Sequence, residues 1–173
     1  MHGPIRRGRL PPGVRRLTSG TENMGVPVTD PKLPPVHQLG YVVHDADQAC
    51  AFYEATFGVG PFQVFPEVIM DGAILRGRPV ETRIKVALAR SDQIEIEFIQ
   101  PLRGRNLYTE FLEARGDGIH HLGFEIDDLQ AWKARFAARG LEPVFHHDMG
   151  VMEFAYFDTA AAGGLMLELL HWK

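Results

Sequence analysis

The sequence predicts an α+β fold made of two tandem βαβββ modules. Two features carry that prediction: an internal repeat, and within each copy a switch of apolar spacing from period two to the helical period. The stretch HQLGYVVHDADQACAFYEATFG from His37 parallels HHLGFEIDDLQAWKARFAARG from His120, and self-similarity on this scale marks a duplicated structural unit. In the first copy Leu39, Tyr41 and Val43 alternate as in a half-buried strand, and in the second Leu122, Phe124 and Ile126 do the same. An aspartate follows each run, Asp45 or Asp128, suited to cap a helix N-terminus. Beyond it Ala49, Tyr53 and Phe57, and likewise Leu129, Trp132 and Phe136, recur at helical spacing and predict one buried face per helix. Gly58 and Gly140 are the expected helix stops.

The remaining elements follow in order. Module one, over 36–102, continues with strands at 62–66, 83–89 and 93–100, with a loop at 70–80. A linking helix at 107–114, within the connection 105–116, leads to the Gly116-Asp117-Gly118 turn. Module two, over 119–173, has strands at 142–147, 152–158 and 165–172, separated by turn residues at 148–150 and at Gly163-Gly164. Together these make one domain over 35–173. The first 34 residues differ in kind. They are rich in proline, which makes up seven of the first 35 residues against twelve in the chain, and carry Arg6, Arg7, Arg9, Arg15 and Arg16. Such a segment has too little periodic apolar content to order itself, so it reads as a disordered basic tail or as sequence upstream of a start at Met24. Prolines 4, 11 and 12 oppose the amphipathic helix of a transit peptide.

Composition narrows the function classes. A net charge of −4 and a sequence pI near 6.0 offer no basic surface for nucleic acid. No apolar run reaches the length of a membrane span. The single cysteine, Cys50, rules out an internal disulfide and any multi-cysteine metal site and is compatible with a reducing, cytoplasmic setting. Any metal must then be held by oxygen and imidazole.

Period two sorts the chemistry-bearing residues by face. His37 and His120 fall with the apolar set turned to the helices and read as packed histidines. Gln38 and His121 occupy equivalent positions on the opposite, less apolar face. Glu168 interrupts Leu165-Met166-Leu167 and Leu169-Leu170. A carboxylate in so apolar a strand needs a cation, a metal or a proton. Glu97, alternating with Ile94, Ile96 and Phe98 and sharing a face with Glu95, would pass alone for a solvated position and gains meaning only beside the other three.

With these residues in place the chain resembles the vicinal oxygen chelate superfamily, which includes glyoxalase and bleomycin-resistance proteins, over about residues 36–170. In that superfamily each module donates one metal ligand from its first strand, seven residues before an aspartate, and one from its last. Gln38 stands so before Asp45, His121 before Asp128, and Gly164 precedes Glu168-Leu169 as in the superfamily's Gly-x-x-x-Glu-Leu string. Glu97 fills the fourth place. The resemblance implies a cupped mixed sheet and one divalent ion (zinc, nickel, cobalt, manganese or magnesium) held by Gln38, Glu97, His121 and Glu168. Two positions would be left for neighbouring substrate oxygens.

Two families within it are similar to this chain. Glyoxalase I shares the Gln, Glu, His, Glu order, but Val42 and Pro101 stand where it has the arginine and asparagine that grip glutathione. Methylmalonyl-CoA epimerase shares the Glu97 to Leu102 string, Phe111-Leu112 in the linking helix and His120-His121, whereas Gln38 replaces its histidine and Lys85 its second catalytic glutamate. The expected activity is that of an isomerase or lyase moving a proton next to a chelated carbonyl, with Glu168 as base and a small carbonyl compound or acyl-CoA as substrate. A non-catalytic binding or resistance protein and a non-haem iron dioxygenase are the alternatives. A homodimer sharing sites between two chains is left open.

Overall fold

The computed structural model describes residues 32–173; the expectation of a disordered tail falls, up to residue 31, outside the described residues. Module one comprises β1 (Gln38–Val42), α1 (Ala46–Phe57), β2 (Gln63–Ile69), the short β3 (Ala73–Leu75) and β4 (Arg78–Val80), β5 (Arg83–Ser91) and β6 (Ile94–Arg103). Helix α2 (Leu107–Arg115) leads to module two: β7 (Gly118–Glu125), α3 (Leu129–Ala137), β8 (Pro143–Asp148), β9 (Met152–Asp158) and β10 (Met166–Trp172). The helix starts are where the aspartates put them. Asp45 accepts from the Gln48 amide at 2.9 Å and Asp128 from the Ala131 amide at 2.9 Å, satisfying a donor that the first turn leaves unpaired. Gly58 ends α1 with φ 67°. In contrast, α3 stops at Ala138, and Gly140 turns the chain two residues later with φ 76°.

All ten strands form one mixed sheet in the order β2-β5-β6-β1-β7-β10-β9-β8-β3-β4. The two modules meet at its centre, where β1 and β7 run antiparallel. Each also pairs in parallel with the last strand of its own module, β6 or β10. The expected loop at 70–80 is instead the β3–β4 hairpin, which leaves module one and pairs with β8 at the far edge, Ile74 opposite His146 and Leu75 opposite Phe145. Its turn residues and short strands look like loop because its hydrogen-bond partner lies some seventy residues away. By bridging from the β2 edge to the β8 edge the hairpin helps curl the sheet into a half-barrel.

Three clusters hold this shape. α1 packs on β1, β5 and β6 through Ala46, Cys50, Ile96 and Phe98. α3 packs on β7, β9 and β10 through Phe124, Leu129, Phe157 and Leu169, and Leu33 and Val36 join that cluster. Phe57, expected on the buried face of α1, is 58% exposed and stacks edge-on against Phe52 and Tyr53; the last turn overhangs the sheet. The third cluster fills the concave side, with Tyr108 of α2, Phe145, Phe154, Tyr156 and Leu170 beside Ile84, Val86 and Ile99.

Candidate metal centre

The functional geometry follows from the register of the two central strands. Gly40 lies between His121 of β7 and Glu97 of β6, while Gly123 lies between Gln38 of β1 and Glu168 of β10. Each module's glycine therefore makes room for the other module's side chain. A Cβ on Gly40 would stand 1.8 Å from Cε1 of His121, and one on Gly123 would stand 2.9 Å from Cβ and Oε1 of Gln38. The four side chains singled out from sequence meet here on the concave face. Nε2 of His121 is 3.1 Å from Oε2 of Glu168, 3.2 Å from Oε2 of Glu97 and 3.4 Å from Oε1 of Gln38. His121 is fully buried, Glu168 and Gln38 nearly so, and the Glu97 side chain is 12% exposed.

These atoms fit a divalent ion. Metal bonds of about 2.1 Å place neighbouring donors about 3.0 Å apart in an octahedron and about 3.4 Å apart in a tetrahedron; the three distances from Nε2 of His121 fall in that range, and the donor atoms of Glu97, His121 and Glu168 all lie within 4.8 Å of one another. Oε2 of Glu97 and Oε2 of Glu168 are buried with no hydrogen-bond partner other than the His121 ring nitrogen they share, a state that costs stability unless a cation, metal or imidazolium, completes it. Among the described residues, Glu97, His121 and Glu168 are the one group of three or more such side chains close enough to share an ion. Without an ion, proton chemistry compensates in part. Burial would push the His121 imidazole down, but Glu168 and Glu97 beside it push it up to about 9. Burial raises Glu97, and His121 partly opposes that rise.

The surrounding residues orient this set. Nε2 of Gln38 donates to Oε1 of Glu95 at 2.9 Å, which turns the amide oxygen toward His121. Nδ1 of His121 lies 3.1 Å from Nδ1 of His120. A His121 that coordinates through Nε2 carries its proton on Nδ1 and donates it to His120. That requires neutral His120, and burial, with the His121 charge next to it, holds His120 well below its ordinary value. His120 is the packed, hydrogen-bonded histidine expected, but on the face opposite the one that period two assigns it. A β-bulge between Gly40 and Tyr41 leaves it without a partner in β1 and turns it inward against Tyr108, Phe111 and Tyr156. His37 departs from expectation too: it immediately precedes β1, its backbone already bonded to Gly123 and Glu95 of the two neighbouring strands, yet its side chain lines the cavity beside the cluster.

The sequence leaves a role for Glu95 open and does not single out the two glycines as site residues. The repeat held the signal for the glycines, since HQLG and HHLG both place one two residues after the first-strand side chain. Lys85 is not at the centre: it pairs with Asp47 of α1 at 2.5 Å on the other face of the sheet. The cluster forms the floor of a cavity of about 420 Å³ walled by both modules, to which the hydroxyls of Tyr108 and Tyr156, 3.0 Å apart, also belong.

A curled sheet of paired βαβββ modules with this cluster at its centre defines a class, and comparison with known proteins agrees. The model of the Glyoxalase/Bleomycin resistance protein/Dioxygenase superfamily matches residues 37–156, and the chain belongs to that superfamily. An uncharacterised protein of Bacillus subtilis (strain 168), YqjC, is 31% identical over 71 residues, 40% of this chain and 51% of its own length, so the match spans about half of that relative. Among solved structures, methylmalonyl-CoA epimerase from Mycobacterium tuberculosis superposes with a TM-score of 0.62 at 23% identity, covering 82% of this chain and 89% of that one. A variant of Streptomyces coelicolor methylmalonyl-CoA epimerase in complex with 2-nitronate-propionyl-CoA gives 0.63 at 20% identity, covering 82% and 96%. At these identities the likeness is one of fold.

Proposed function

We propose that this protein is a metal-dependent isomerase or lyase that moves a proton on the carbon next to a carbonyl. The observation that carries the reading is the pair of buried carboxylate oxygens, Glu97 Oε2 and Glu168 Oε2, which converge on Nε2 of His121 and have no other partner, beside a cavity that Glu97, Glu168 and Gln38 line. One imidazole, one amide oxygen and two carboxylates would hold a divalent ion such as zinc, nickel, cobalt, manganese or magnesium. Such an ion supplies Lewis acidity to a substrate carbonyl and its vicinal oxygen. Glu168 takes the proton from the adjacent carbon, the C–H electron pair moves toward the carbonyl oxygen, and return of a proton completes the isomerisation. Glu97 stays as anchor. Glu95, which accepts from Gln38, is a further carboxylate lining the cavity and would be the candidate for a second proton-transfer group. The epimerase neighbours support this class, with a small carbonyl compound or acyl-CoA as substrate. A dioxygenase triad of two histidines and one carboxylate is disfavoured, because His37 is outside the converging group among the described residues.

The test is solvent exchange. Metal-loaded protein in deuterium oxide should introduce deuterium next to the carbonyl of its substrate, read by mass spectrometry across a panel of carbonyl compounds. Exchange by metal-stripped protein at the same rate would refute the reading.

The raised His121 value adds a pH prediction. A group whose folded value of about 9 lies above its ordinary 6.5 stabilises the metal-free fold below pH 6.5 and stops doing so as pH rises toward 9. Metal-free protein should therefore lose melting temperature across that window. Metal binding displaces the same proton, so affinity should rise about tenfold per pH unit up to about pH 9. A melting temperature and an affinity both flat from pH 6.5 to 9 would show that no proton is shared with the cluster.

A further inference from the structure

We infer that the substrate of this site is a carbonyl compound with an uncharged, apolar body, aromatic or branched aliphatic, and that any anionic extension lies outside the cavity. The inference rests on the proposed function for the chelated head and on the cavity walls for the body. Those walls are apolar from both modules: Val68, Ile84 and Leu88 on one side, Met152, Phe154 and Leu170 on the other. Among the described residues no lysine or arginine lines the cavity; its ionisable side chains are the carboxylates Glu95, Glu97 and Glu168, the phenols of Tyr108 and Tyr156 and the one imidazole of His37, which the three carboxylates outnumber.

The strand pleat explains the missing cations. β5 alternates Arg83, Ile84, Lys85, Val86, and the two aliphatic residues face the cavity while the two cations face away. Arg83 is engaged by Asp71, and Lys85 pairs with Asp47 at 2.5 Å. Glu97 and Glu168 together neutralise a divalent ion, so with Glu95 the loaded cavity carries no surplus positive charge. An anionic group on the substrate body would be buried without a partner, which the interior resists.

The mouth agrees with the walls. Phe65, Met149, Val151 and Trp172 are 37%, 37%, 69% and 55% exposed, and all four line this one cavity. Apolar side chains gathered at one opening mark a surface that an apolar ligand covers. The uncharged donors inside are few. Tyr108 and Tyr156 line the cavity and share one hydrogen bond, which leaves one of their two hydroxyl protons, and His37, whose Nδ1 is buried without a partner, adds a ring nitrogen. At about 420 Å³ the space is of the size that holds small ligands, about 300–1,000 Å³, and exceeds what a two- or three-carbon head fills.

Hydroxamates, which present two vicinal oxygens, separate the possibilities. Metal-loaded protein is titrated calorimetrically with acetohydroxamate, 4-isopropylbenzohydroxamate and 4-carboxybenzohydroxamate. The isopropyl compound should bind about 100-fold more tightly than acetohydroxamate, from the apolar area it buries. The carboxylated compound should lose most of that gain. Equal or tighter binding of the carboxylated compound would overturn the substrate class. The same aryl groups as plain amides, titrated into metal-stripped protein, should keep the order isopropyl over carboxylate, and a reversal there would overturn the class as well. Failure to take up an ion would refute the proposed function, whereas the amide order tests the cavity by itself.

Discussion

Gly40→Ala is expected to destroy the centre while leaving every proposed ligand in the sequence. The added methyl carbon would sit 1.8 Å from Cε1 of His121, far inside van der Waals contact, so the ring or the strand must move. The strand cannot move cheaply, since β1 is hydrogen-bonded on both sides, to β6 and to β7. The ring is also confined: Nδ1 faces His120 at 3.1 Å and its plane meets Tyr156 edge-on with centroids 5.1 Å apart. Overpacking of this kind costs about 1–3 kcal/mol, and displacing a ligand should weaken metal binding more than the 10–100-fold that loss of an outer partner causes. Gly123→Ala, which would meet Cβ and Oε1 of Gln38 at 2.9 Å, makes a smaller overlap and should be milder, though the Cβ, fixed to the β1 backbone, cannot swing aside. Metal content after dialysis and melting temperature are the measurements. The double variant Gly40→Ala with His121→Ala should regain stability without regaining metal, because the clash and the ligand leave together. Full metal occupancy in Gly40→Ala would show that His121 does not occupy the place assigned to it.

The residues legible from sequence and those that were not divide along a physical line. Duplicated modules, aspartate caps and the four converging side chains are properties of local pattern, and a repeat of twenty-odd residues makes local pattern visible twice. Asp45 and Asp128 cap because a short carboxylate at that backbone position reaches the first turn wherever the helix later packs. The β3–β4 hairpin is different: its stability comes from β8, a strand of the other module, and nothing at 70–80 announces that partner. Period-two reasoning failed at two histidines for related reasons. At His120 a bulge inserts one residue and resets the alternation, and His37 immediately precedes β1, where the chain enters the sheet and its side chain is free to turn into the cavity. Each lies within one residue of a correctly assigned neighbour, which shows how narrow the error is. Glu95 looked solvent-facing because its partner, the Gln38 amide, is 57 residues distant. The role of Gly40 and Gly123 needed the cross-strand register, which comes only with the antiparallel pairing of β1 with β7.

Glu168→Gln should lower proton exchange by roughly two to four powers of ten with the metal retained at saturation. Glu168 lies on β10 between β7 and β9, opposite Gly123 and Tyr156, so its backbone is fixed and the glutamine variant keeps the shape. What glutamine cannot do is accept a proton from carbon, while its amide oxygen remains a weak ligand in the manner of Gln38. Occupancy must be measured in the same samples, because a variant that merely binds metal poorly would also be slow. Three comparisons locate the base. Glu97→Gln should weaken metal affinity yet recover most of the exchange rate at saturating metal, as suits an anchor. Lys85→Met should leave exchange unchanged, since Lys85 faces Asp47 on the other side of the sheet. Glu95→Gln separates two chemistries: an enzyme that inverts a centre needs a group on each face and should lose racemising turnover while keeping exchange, whereas one that shuttles a proton on a single face should keep both. Near-normal exchange in metal-saturated Glu168→Gln, with exchange abolished in Glu97→Gln or Glu95→Gln, would move the base to module one. The pseudo-symmetry of the modules makes that the real competitor, since each last strand contributes one carboxylate to the same Nε2 of His121.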